Sequence, residues 1–220
     1  MGESFEDVCK REELRYRIVR ILRSQECFKI RFKLVNVSIE PWMWPGLANA
    51  IETGTWCKVR IGDGDDFDFP NTFHFATARP ERFEIVHEVT HMMIWATHVG
   101  KTIQTGVHEA AAYLAEALFT LYSGDQDNLN TQPHLAYPLF QLATSVKNNT
   151  RIGRPSVVCD PTSVMNIIAI LTSLLHFLTA QEGGADAWFS GTIESAQEPI
   201  EPVARRPLRW ITLPTASTAC

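Results

Sequence analysis

The chain has 220 residues, 45% of them hydrophobic and 20% charged, with a net charge of −5. That length suffices for one domain with a real core and is marginal for two. The acidic balance argues against a nucleic-acid-binding role, which would leave a basic footprint. The N-terminus, Met-Gly-Glu-Ser-Phe-Glu-Asp-Val, has no basic segment followed by an apolar run, so no signal peptide is expected. Five scattered cysteines form no Cys-x-x-Cys pair, which suits reduced, mostly buried thiols in a cytoplasmic protein.

In chain order, Ser4 to Gln25 has the apolar spacing of a helix, with Leu14, Ile18, Ile21 and Leu22 on one face. Phe28 to Leu34 alternates apolar and basic residues, which predicts a strand with a solvated basic face. The alternation changes phase at Val35, Val37 and Ile39, as a bulge or bend would produce. A short helix is expected around Leu47 to Ile51, and a second strand over Trp56 to Ile61. The Gly62-Asp63-Gly64-Asp65-Asp66 run lacks the closing Glu of a calcium loop and reads as a turn. Asn71 to Thr77 is the third predicted strand.

Pro80 is placed to open a helix running to about His98. Val107 to Ser123 predicts the next helix, stopped by Gly124, and Pro138 the start of another, ending near Asn148. Asp160-Pro161 caps the most apolar helix, Ser163 to Ala180. Polar residues interrupt that stretch and no basic flank orients it, so a fully buried core helix is expected and no membrane span. From Gln197 onward the chain loses periodicity. Residues 1–196 are therefore expected as a single domain and 197–220 as a loosely ordered tail.

The chemistry concentrates in Ile85-Val86-His87-Glu88-Val89-Thr90-His91, which contains His-Glu-x-x-His. Residues four apart share one helix face, so both imidazoles can point at one ion. Glu88 projects to the side, where it can act as general base on a water activated by the metal. A catalytic zinc site needs a third protein ligand. The candidates are Glu109 and Glu116, in a run beginning Val-His-Glu-Ala-Ala-Ala-Tyr, whose small residues let two helices approach closely. Glu84 lies one turn before His87 and is a candidate partner to it. Tyr113, one turn past Glu109, can serve as an oxyanion donor or simply as a core tyrosine. His74, His108 and His134 have no assigned place.

On these motifs the chain resembles the gluzincin metallopeptidases, in which a Glu on the next helix completes the metal site. More narrowly, it is similar to short bacterial His-Glu-x-x-His proteins with a Glu-Ala-Ala-Ala-Tyr-like second helix. The likeness covers Thr72 to about Tyr122. It implies a zinc ion held by His87, His91 and Glu109, and hydrolysis of a peptide or amide bond in a peptide or protein substrate. The fold expected is α+β and zincin-like, a small three-stranded sheet beside a mainly helical core, with the motif on a central helix. Substrate is expected to lie as an extended strand along Asn71 to Thr77, unless that strand is interior, paired by the Phe28 and Trp56 strands. The alternative function is a zincin-like regulatory or toxin-associated module that binds metal without turnover.

Overall fold

A computed structural model describes residues 5–54, 58–62, 66–68, 72–98, 103–124, 133–151 and 154–182. The protein is α+β and mostly helical. In order come α1 (Phe5–Leu22), α2 (Gln25–Lys29), β1 (Phe32–Leu34), β2 (Val37–Ile39) and α3 (Met43–Thr53). They are followed by β3 (Lys58–Ile61), β4 (Asp66–Asp68), β5 (Thr72–Phe75), α4 (Arg82–Thr97) and α5 (Thr105–Ser123). The chain continues through α6 (Pro133–Asn149), β6 (Val157–Val158) and α7 (Pro161–Glu182). The expected tail, 197–220, lies outside the described residues.

The strands form two three-stranded sheets rather than one, ordered β2-β1-β6 and β3-β5-β4. The Phe28 segment divides: Phe28 and Lys29 belong to α2, capped by the Ser24 hydroxyl on Cys27 N–H. Local capping there overrides the period-two pattern. The change of phase after Leu34 is a hairpin and not a bulge. Leu34 pairs with Val37 across a two-residue turn, and Val35 takes φ 54°. A β-branched residue is strained at positive φ, and the tight reversal imposes it here.

Strand β5 is interior. It pairs in parallel with β3 and antiparallel with β4, so its own edges are taken. The Trp56 segment supplies one neighbour from Lys58 on, while β4 fills the side expected for the Phe28 segment. Strands β3 and β4 are the outer strands of this sheet among the described residues, and β4 packs against α4.

Helix α4 starts at Arg82, two residues later than Pro80 suggested. Glu81 is the N-cap, and its backbone N–H donates to the Glu84 carboxylate at 2.7 Å. That bond is half of a capping box and satisfies one of the orphan donors of the first turn. Helix α5 ends on Gly124, whose φ of 79° is the left-handed cap geometry glycine allows. Helix α6 begins at Pro133, with Pro138 inside it, where the proline removes one ladder bond. Asp160 caps α7 as expected, accepting from Ser163 N–H at 2.8 Å and from its hydroxyl at 2.9 Å.

Helix α7 is not fully buried. Val164, Ile167 and Leu171 face the core, while Met165, Asn166 and Ala169 are exposed. Of its polar interruptions, Asn166 and Ser173 lie on the exposed side. No helix among the described residues is long and apolar enough to cross a membrane. One core joins α1, α3, α4, α5, α6 and the start of α7. Within it, α4 packs most extensively on α5. Ala110, Ala111, Ala112, Ala115 and Ala117 are all buried, and their small size lets the two helices come close.

Candidate metal centre

Helices α4 and α5 form an antiparallel hairpin, so α5 runs back past the motif. Its first turn reaches His91 and its third reaches His87. His91 Nε2 and His87 Nε2 lie 3.1 Å apart. The two oxygens of Glu109 lie 3.6 Å from His87 Nε2 and 3.5 Å from His91 Nε2. Zinc ligands at the usual bond lengths stand about 3.3–3.4 Å from one another in a tetrahedron. Each imidazole Nε2 thus faces a different oxygen of Glu109 at close to that spacing. Ligand atoms of His87, Glu88 and His91 lie within 4.8 Å of one another, and so do those of His91, His108 and Glu109, so the Glu88 carboxylate stands beside the two motif imidazoles.

Each imidazole turns its other nitrogen to a second partner. His87 Nδ1 lies 3.1 Å from Glu116 Oε2, to which it donates. His91 Nδ1 lies 2.6 Å from His108 Nδ1, with the two rings stacked at 8°. A donation from His91 Nδ1–H to His108 leaves the His91 Nε2 lone pair facing Glu109. Such partners fix ring orientation and tautomer around a metal. Tyr113 stands edge-on to His87, ring centroids 4.5 Å apart.

The groups of the cluster shift one another's proton affinities. Burial lowers the pKa of His87, but the carboxylates of Glu109 and Glu116 outweigh it and hold the ring well above its ordinary value. Burial pulls His91 and His108 down, so both are neutral and can offer a lone pair. Burial opposes ionisation of Glu109, yet the surrounding imidazoles keep its pKa low. Burial, then the charges of Glu109, Glu116 and Glu88, push the Tyr113 phenol up, so it keeps its proton. The donor set, two imidazoles and a carboxylate, suits zinc.

Of the residues singled out in the sequence, His87, Glu88, His91, Glu109 and Tyr113 come together in one cluster. Glu116 belongs to the cluster too, but on the far nitrogen of His87. Glu84 does not join it, because its carboxylate is engaged at the helix N-terminus. Sequence reasoning left His108 unplaced. The available signal was its position directly before Glu109, which on an antiparallel hairpin brings it to the level of His91. His74 lies on β5, and the side chain of His134 is outside the described residues. No family model, curated protein or solved structure matches the chain.

Proposed function

We propose that the chain is a zinc-dependent hydrolase of peptide or amide bonds with a gluzincin-like site. The observation that carries this reading is the 3.1 Å approach of His87 Nε2 and His91 Nε2, with one Glu109 oxygen 3.6 Å from the first, the other 3.5 Å from the second, and Glu88 beside the pair. His87, His91 and Glu109 would hold the ion. A zinc ion bound there would supply Lewis acidity and bring the pKa of water to about 7.

The chain's own residues have separable tasks. Glu88 takes the proton of the attacking water and passes it to the leaving amine, as general base and then general acid. Tyr113, protonated and against His87, donates to the oxygen on which negative charge develops. Glu116 and His108 hold the two imidazoles in orientation. The outer strand β4, packed on α4, offers backbone N–H and C=O groups to an extended substrate. This replaces β5, whose edges are paired within the sheet.

The test is zinc content together with peptide hydrolysis. Protein expressed with added zinc should carry about one ion per chain and cleave members of a mixed peptide library. Absence of zinc by elemental analysis would refute the metal assignment. Stoichiometric zinc without cleavage would leave a metal-binding module in place of an enzyme.

A further inference from the structure

A second cavity lies behind the motif helix. With about 100° of rotation per residue, Met93, Ala96 and Thr97 project from the side of α4 opposite His87 and His91. With His98, β2 and the loop after it, and one side of α3 from Met43 to Ala50, they line an open cavity of about 710 Å³. Its wall is mainly apolar, formed by Trp42, Met43, Leu47, Ala50, Met93 and Ala96. That volume falls in the range of small-molecule sites.

Glu40 is the formally charged acid or base in the lining. Its carboxylate is held in place across the fold. Oε1 accepts from the Ser38 hydroxyl at 2.9 Å, and Oε2 accepts from the buried Ser156 hydroxyl at 2.6 Å. Ser156 is distant in sequence, so this anchoring is a tertiary feature. Among the described residues, no Lys, Arg or His lies within ion-pair distance of Glu40. His98, the imidazole in the lining, is engaged on both ring nitrogens, Nε2 3.2 Å from the Asn36 carbonyl and Nδ1 2.9 Å from the Ile94 carbonyl and 2.8 Å from the Thr97 hydroxyl, so it turns toward the backbone and not toward Glu40. Beside Glu40, Trp42 is 56% exposed, unusual for an indole.

We infer that this cavity binds an organic cation, a primary amine or quaternary ammonium on an apolar body. A fixed carboxylate supplies charge complementarity, and an indole face attracts a cation through its quadrupole. The thioethers of Met43 and Met93 adapt to the apolar body. An anion would meet Glu40 with no balancing cation. A neutral apolar ligand would take water from the carboxylate and leave it only the two serine hydroxyls, with no opposite charge. An ammonium group satisfies both constraints. This site is separate from the metal cluster and does not depend on hydrolysis.

The experiment is calorimetric titration of the full chain with 4-phenylbutylamine and, separately, 4-phenylbutyrate. The amine is expected to bind about tenfold tighter or more, as one charge-assisted contact with an aromatic neighbour gives. Glu40→Gln should weaken the amine about tenfold and remove the preference. Trp42→Ala should also weaken it; because Trp42 is exposed, that variant keeps its fold and decides the matter if Glu40→Gln does not fold. Equal binding of the two probes, or no amine binding at millimolar concentration, overturns the inference. So does amine affinity that is lost in Glu109→Ala and retained in both cavity variants, since the amine would then sit in the metal cluster.

Discussion

The two faces of α4 are built on opposite principles. One face carries His87 and His91 and buries them among Glu88, Glu109, Glu116 and His108. The other carries Ile85, Val86, Val89 and Met93, buried in apolar contact. Apolar burial stabilises a helix by itself, at about 1.5–3 kcal/mol per large side chain. Buried ionisable groups do so only when each finds a partner. The polar face here satisfies its members by pairing each imidazole twice. The contrast separates a face that holds the helix in place from one whose ionisable groups are held by one another.

Five substitutions test that separation. The largest expected effect is on the polar face. Glu88→Gln should lower the rate of hydrolysis by about 10²–10⁴-fold while zinc content stays at the wild-type level. Zinc loss from a folded Glu88→Gln protein would mean that Glu88 is a ligand and not the base.

On the apolar face, Ile85→Ala should cost about 2–5 kcal/mol of stability, measured by urea unfolding of the zinc-free protein. Zinc affinity of the folded variant should not change. If affinity falls in step with stability, the two faces are not independent.

Within the polar face, Glu109→Ala should abolish tight zinc binding. Glu116→Ala should weaken it by only about 10–100-fold, as loss of an orienting partner does. Chelator competition measures both. The reverse order would exchange the roles of the two carboxylates.

The smallest effect is expected at the helix start. Glu84→Ala removes the bond to Glu81 N–H and should cost about 1 kcal/mol with no change in zinc affinity. A change in affinity there would return Glu84 to the metal cluster.

The local elements that place the motif were legible in the sequence. The His-Glu-x-x-His spacing, the run of alanines after Glu109, Gly124 as a terminator and Asp160-Pro161 as a cap each act through neighbours within a few residues, where spacing alone carries the physics. Tertiary structure decided the rest. The partnership of His91 with His108, and of His87 with Glu116, depends on the register between two packed helices, which no local periodicity encodes. The same holds for β5, whose alternation is identical at an edge or in the interior; only its pairing with β3 and β4 placed it inside. Glu40 is the clearest case. In sequence it is one more surface acid. Ser156, brought to it from the far end of the described chain, makes it a fixed charge on the wall of a cavity.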